Sequence, residues 1–188
     1  MKGRPTNRAV RPREYLTPPE VARVIAAASG GALGHRDATM ILLAYRHGFR
    51  ASEVCRLQWA SIDLDARTIQ VNRIKGSAST VHPLGPDECK ALVRLAKDRL
   101  DGIPYLFHTR RSSHMSRGAF LVLVKRAGAK AGLPFPVHPH MLRHACGYKL
   151  ANDGRDTRLI QSYLGHRNIQ HTVRYTELSP ERFRDLWK

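Results

Sequence analysis

Cysteine is scarce. The three in 188 residues, Cys55, Cys89 and Cys146, form no CxxC pair, which argues against a disulfide framework and leaves them as reduced, half-buried thiols. Acidic residues are also few: 15 Asp and Glu, scattered, make no obvious carboxylate triad for a metal nuclease. No apolar run approaches the ~18 residues of a membrane span, so nothing is expected to cross a bilayer. The first apolar segment, "VARVIAAAS", follows Pro18, Pro19 and Glu20, and so reads as a helix start and not as the core of a secretion signal. These readings place the chain in the cytoplasm. Aromatics are only 7% of the residues, and no glycine-rich phosphate loop is present.

What the chain has in excess is positive charge. Lys and Arg number 32, 24 of them Arg, and the net charge is +17. Such a surface attracts polyanions, and the planar arginine fork suits phosphate oxygens. With 42% hydrophobic residues the chain also has enough apolar mass for a packed core. Nucleic acid is the expected partner; charge alone does not separate a binder from an enzyme.

The expected organisation is a flexible basic arm over residues 1–14 and one domain over 15–188. Thr17 caps a first helix with Glu20 completing a capping box. "DATMILLAYRHG" reads as a buried helix from Asp37 closed by Gly48, and "SEVCRLQW" as a short helix capped by Ser52. The period then changes: "TIQVN" and "TVHPL" alternate as strands about a turn at Gly76, which places Lys75 at or near a hairpin tip. "PDECKALVRLAKDRL" is amphipathic, with Leu92, Leu95, Ala96 and Leu100 on one face, and "YLF" at 105–107 suggests a further short strand. A helix runs from Ser116 to about Gly132, and shorter ones over roughly 138–152, 156–164, 168–175 and 179–187. The fold class is mostly α with a small antiparallel β-sheet, an α+β arrangement.

Within "HPHMLRH" the helical spacing puts His140, Arg143 and His144 on one face, so an imidazole and a guanidinium can clamp a phosphate oxygen and move a proton. A helix start decorated with polar histidines is the plain alternative. Zinc held by His138, His140 and His144 is another, but no Cys or acidic residue joins them at ligand spacing and Arg143 would repel a cation. In "HGFRASE", Arg50 follows a helix-ending glycine and Glu53 is its natural orienting partner. "LGHRNIQHTVRYT" adds His166 and Tyr175, where Tyr175 is either a core tyrosine or a nucleophile.

Taken in order, Arg50, Lys75, His140, Arg143, His166 and Tyr175 resemble the active-site set of the tyrosine recombinases, also called phage-type integrases. The matching stretches are "HGFRASEVCRL", "RIKG", "HPHMLRHACG" and "LGHRNIQHTVRYT". Three of these regions are most similar to the short recombinases that invert the fimbrial promoter switch in enteric bacteria. The resemblance implies the integrase catalytic-domain fold and a site-specific DNA recombinase working through a 3′-phosphotyrosyl link. It implies Tyr175 as nucleophile, Arg50 and Arg143 on the nonbridging oxygens, Lys75 as proton donor to the leaving 5′ oxygen, His140 as base and His166 as a phosphate hydrogen bond. It implies no metal and no cofactor. It also implies a homo-oligomer on DNA, as a tetrameric synapse, with accessory DNA-bending proteins as possible helpers. The outcome, inversion or integration and excision, stays open. A DNA-binding regulator without catalysis and a type IB topoisomerase are the alternatives. After Tyr175, Leu178, Phe183, Leu186 and Trp187 share one helical face, which either folds back on its own core or docks in a neighbouring protomer.

Overall fold

The computed structural model describes residues 13–73, 79–109 and 113–176. Lys75, most of the basic arm and the tail bearing Leu178, Phe183, Leu186 and Trp187 lie outside the described residues.

The chain forms eight α-helices and three strands among the described residues. Helices α1 (Pro18–Ala28), α2 (Gly34–Arg46) and α3 (Ala51–Cys55) come first. A 3₁₀ turn at Trp59–Ser61 leads into strands β1 (Ile62–Asp63), β2 (Thr68–Val71) and β3 (Thr80–Pro83). Then follow α4 (Pro86–Ala96), α5 (Arg117–Lys130), α6 (Pro139–Asn152), α7 (Thr157–Leu164) and α8 (Gln170–Thr176). The strands form one antiparallel sheet in the order β1-β2-β3, with Ile62 opposite Ile69 and Val71 opposite Thr80. The expected mostly helical fold with a small antiparallel sheet is the one observed.

Local chemistry sets the helix ends. The Glu20 carboxylate accepts from the Thr17 N–H at 2.8 Å and from its hydroxyl at 2.9 Å, as the capping box required. Ser116 and Asp156 cap α5 and α7 through their side chains, Ser116 accepting from Ala119 N–H and Asp156 from Arg158 and Leu159 N–H. Other expectations shift. The residue at the N-cap of α3 is Arg50 and not Ser52, because Glu53 reaches back to the Arg50 N–H at 2.8 Å. Helix α2 begins at Gly34, ahead of Asp37. Helix α4 ends at Ala96, so Leu100 stands exposed while Leu92 and Leu95 remain buried. "YLF" makes a single bridge, Gln58 to Tyr105, and no strand.

Helices α2 and α6 run through the centre. In α2, Met40, Ile41, Leu43 and Ala44 are all buried; in α6, every residue from Met141 to Gly147 is buried. A helix buried around most of its circumference must be covered on several sides. Helix α6 packs on α2, α7 and α8, and α2 packs on α1 and α4. The main core draws on α1 to α6 and the sheet, and a second cluster of Cys146, Ala151, Ile160, Leu164 and Tyr175 lies between α6, α7 and α8. Cys55 and Cys146 are buried, Cys89 partly so, and all are free thiols.

Candidate active site

Two helix ends frame the site. After α2, Gly48 takes φ +57°, its N–H bonds the Tyr45 carbonyl at 3.2 Å, and the Phe49 N–H bonds the Ala44 carbonyl at 3.0 Å. After α7, Gly165 takes φ +64°, its N–H bonds the Ser162 carbonyl at 3.1 Å, and the His166 N–H bonds the Gln161 carbonyl at 3.0 Å. Both are left-handed Schellman stops. They set Arg50 and His166 just beyond a helix C-terminus, and they turn their last carbonyls toward one another.

Buried guanidinium groups fill the space between. Arg143, 1% exposed on α6, donates from Nη1 to the Gly48 carbonyl at 2.5 Å and from Nη2 to the Leu164 carbonyl at 2.7 Å. Arg73, past the end of β2, donates from Nη2 to the His47 carbonyl at 2.8 Å and the Tyr163 carbonyl at 2.7 Å. Helix C-termini carry partial negative charge, so a cation is favoured there even without a carboxylate. Arg73 Nη1 also donates to Glu53 Oε2 at 2.9 Å, while Glu53 Oε1 accepts from Arg50 Nη1 at 2.8 Å. Glu53 is thus the orienting partner expected for Arg50. Arg50 keeps the more open position, with about a third of its side chain exposed (35%). It lines, with Arg117, His138 and His140, an open groove of about 660 Å³.

The histidines are electrically quiet. His140 stands at the mouth of this groove, one side of its ring open to solvent; desolvation of the other side, then the charges of Arg143, Arg174 and Arg50, push its pKa down to about 4. Burial, then Arg143 and Arg50, push His166 down to about 3; its Nδ1 shares a hydrogen bond with Thr172 Oγ1 at 2.9 Å. Burial and Arg174 push His144 down to about 2. Arg143 itself falls to about 10, through burial and the neighbouring Arg50 and Arg73.

Tyr175 on α8 is 1% exposed. Its hydroxyl lies 2.8 Å from His144 Nδ1, so the contact predicted for His140 as base is occupied here by the histidine one turn further along α6. The direction of this hydrogen bond follows the tautomer of the His144 ring. The Tyr175 ring packs edge-on to Tyr148 at 5.0 Å and stacks at 6.2 Å from His166. It also rests on Gly147, where a Cβ would fall 2.6 Å from Cε2. The Arg174 guanidinium sits 5.3 Å from the ring centre, and its Nη2 is 2.5 Å from each His144 ring nitrogen. Burial raises the Tyr175 pKa against the opposing pull of Arg174 and Arg143.

The structure therefore brings Arg50, Glu53, Arg143, His166 and Tyr175 into one region with His140 at its edge; Lys75 lies outside the described residues. Sequence reasoning missed Arg73, although a signal was present: Ile69, Val71 and Arg73 share the buried parity of β2. It also missed Gly147 and the His144 contact. Among the described residues no group of three His, Cys, Asp or Glu could hold a metal ion, and no helix is long and apolar enough to cross a membrane.

A mostly helical domain with a tyrosine near its end, set against a pair of arginines and a row of histidines, defines the class. Residues 14–182 match the phage integrase family, and the chain belongs to it: this is a tyrosine-type site-specific DNA recombinase. It is 49% identical over 181 residues to the type 1 fimbriae regulatory protein FimE of Escherichia coli (strain K12), covering 94% of this chain and 91% of FimE. It is 36% identical over 178 residues to the tyrosine recombinase XerD of Ralstonia nicotianae, covering 91% of this chain but 58% of XerD. The crystal structure of XerA recombinase superposes with a TM-score of 0.79 at 28% identity, over 92% of this chain and 63% of that one. The chain thus spans about three fifths of the XerD and XerA proteins and nearly all of FimE.

Proposed function

We propose that this chain recombines DNA by attack of Tyr175 on a scissile phosphodiester, with Arg50, Lys75, His140, Arg143 and His166 as the remaining active-site groups. The observation that supports this best is the charge balance around Tyr175. Arg50, Arg73, Arg143 and Arg174 gather in this region against one carboxylate, Glu53, so the cluster carries a net charge of 4 − 1 = +3. The histidines beside it are held neutral, by desolvation first and then by those same cations. A site with excess buried positive charge is complementary to an anion, and a phosphodiester with charge developing on its oxygens fits it.

In the reaction, the Tyr175 oxygen attacks phosphorus as the phenolic proton leaves, and a 3′-phosphotyrosyl bond replaces the bond to the 5′ oxygen. Arg50 and Arg143 hold the nonbridging oxygens and His166 adds a hydrogen bond. Lys75 supplies the proton that the 5′ oxygen needs to depart, and His140 receives the one from Tyr175. Attack by a 5′ hydroxyl on the phosphotyrosyl link reverses the steps and rejoins the strand. The phosphodiester energy is kept in the link, so the chemistry calls for neither metal nor nucleotide.

The substrate is double-stranded DNA, gripped electrostatically by a chain of net charge +17 and paired with further copies of itself in a synapse. Similarity to proteins named for the regulation of type 1 fimbriae favours DNA inversion as the outcome. The test is a duplex selected from a randomised library by binding to this protein, nicked so that cleavage is trapped, and incubated in EDTA. A covalent protein–DNA adduct that Tyr175→Phe abolishes is expected. Absence of the adduct with wild-type protein on every bound duplex would sink the proposal.

A further inference from the structure

Arg73 is the most heavily bonded arginine in the site: its side chain is 0% exposed, and both Nη atoms are committed to acceptors within the protein. It donates to the stop that follows α2, through the His47 carbonyl at 2.8 Å and the Gly48 carbonyl at 3.3 Å. It donates to the last turn of α7, through the Tyr163 carbonyl at 2.7 Å. It also donates to Glu53 Oε2 at 2.9 Å. Arg143 bridges the same two helix ends, and it shares the Gly48 carbonyl with Arg73.

The consequences fall on Arg50 and Arg143. Glu53 Oε2 accepts from both the Arg50 N–H and Arg73 Nη1, which leaves Oε1 directed at Arg50 Nη1. Fixing one carboxylate oxygen fixes the other, and the second oxygen aims the Arg50 fork. The acceptors of Arg143, Gly48 and Leu164, belong to the two turns that Arg73 ties together. Packing adds to the hold: a Cβ on Gly165 would fall 2.7 Å from Arg73 Cγ, so the arginine stem lies directly against the turn that precedes His166.

We propose that Arg73 is a positioning residue for strand cleavage: it locks the ends of α2 and α7 to Glu53 and so sets the directions in which Arg50 and Arg143 meet the scissile phosphate. The proposal rests on the reading of Arg50 and Arg143 as the phosphate clamp. A lysine does not replace it, because one ammonium centre can follow Nη2 to the His47 and Tyr163 carbonyls or Nη1 to Glu53 and Gly48, but not both sets at once.

The test uses the full chain and the trapped duplex selected as above, with single-turnover adduct formation measured at saturating protein and binding measured separately. Arg73→Lys and Arg73→Gln are expected to lower the adduct rate about 10²-fold, the cost of misplacing a reacting group by ~1 Å, while the dissociation constant for DNA stays at the wild-type value. Leu95→Ala, in the core away from the site, serves as a stability control: it lowers the melting temperature and keeps the wild-type rate. Variants that bind DNA and form adduct at the wild-type rate would overturn the proposal, as would a rate that falls only in step with the folded fraction. Should neither variant fold, the wild-type complex decides through ¹⁵N spectra of the arginine side chains. Arg73 Nη groups that exchange slowly in the DNA-bound state support the lock, and freely rotating ones refute it. If wild-type protein forms no adduct, the reading of the site itself fails, a result distinct from any of these.

Discussion

Gly147 offers a sharp test of how the DNA-free enzyme stores its tyrosine. It sits inside α6, where alanine should be preferred by about 1 kcal/mol over glycine on backbone entropy alone. Here the gain is opposed. A Cβ at this position would lie 2.6, 2.7 and 2.8 Å from Cε2, Cζ and Cδ2 of Tyr175. The ring is 1% exposed and bounded by Tyr148 and His144, so it does not yield freely. Overpacking of this kind costs about 1–3 kcal/mol, so Gly147→Ala should destabilise by roughly 1 kcal/mol net. Tyr175→Ala alone should cost about 3–5 kcal/mol, as for other large buried aromatics. With the ring gone, the clash is gone, and Gly147→Ala should then stabilise by up to ~1 kcal/mol.

The measurable quantity is the coupling, about 1–3 kcal/mol from the two backgrounds. Urea unfolding of the four proteins supplies it, provided the m value is common to all. Equal effects of Gly147→Ala with and without the Tyr175 ring would refute the packing argument. That result would mean the tyrosine is not held against α6 in the absence of DNA.

Other perturbations follow from the same geometry. Gly48→Ala combines a residue forced to φ +57° with a Cβ 2.4 Å from Leu164 Cδ2, and should cost 2 kcal/mol or more, read as a melting temperature lowered by about 4–8 °C. Arg50→Lys loses the fork that Glu53 aims and should slow adduct formation by about 10²–10³-fold; an unchanged rate would remove Arg50 from the clamp. His82, 2% exposed, has a pKa depressed to about 3 and His144 one depressed to about 2, both below the unfolded value. Groups buried neutral bind protons only on unfolding, so their stabilisation is complete above about pH 6.5 and is lost as the pH falls toward the folded values. Each should withdraw up to about 2 kcal/mol between pH 7 and 5, and His82→Gln should flatten the decline.

Much of the site was legible because its residues lie in locally determined structure. The box of Thr17 with Glu20, the glycine stop at Gly48 and the shared face of His140 and His144 depend on neighbours within one or two turns. The ion pair of Arg50 and Glu53 is equally local. Arg73 was missed because its partners lie on α2, α3 and α7, and no sequence spacing relates those carbonyls to the end of β2. Its inward parity after Ile69 and Val71 was a clue that a charge would be buried. The His144 contact to Tyr175 likewise depends on how α8 lies on α6. Position on the α6 face made His140 and His144 equivalent, and packing separated them: His140 is exposed and His144 buried.

The burial that hides Tyr175 and the charge that surrounds it pull in opposite directions, and DNA is what reconciles them. In the free protein, desolvation keeps Tyr175 a phenol, and desolvation together with the nearby cations keeps His140, His144 and His166 from taking up protons. Neither a nucleophile nor a competent base is present in that state. A phosphate anion placed between Arg50 and Arg143 would offset their charge, and offsetting it raises the proton affinity of the adjacent imidazoles. The same event draws the Arg143 pKa back up from about 10 and removes the electrostatic strain between Arg143, Arg50 and Arg73. On the proposed mechanism, activation of the base is coupled to occupancy of the clamp. The tyrosine needs a further step, since its hydroxyl is engaged with His144 and its ring is buried over Gly147. If Tyr175 is the nucleophile as proposed, release from that contact is the movement that DNA binding must drive before attack, and Gly147→Ala, which opposes the stored position from beneath, should make that release easier.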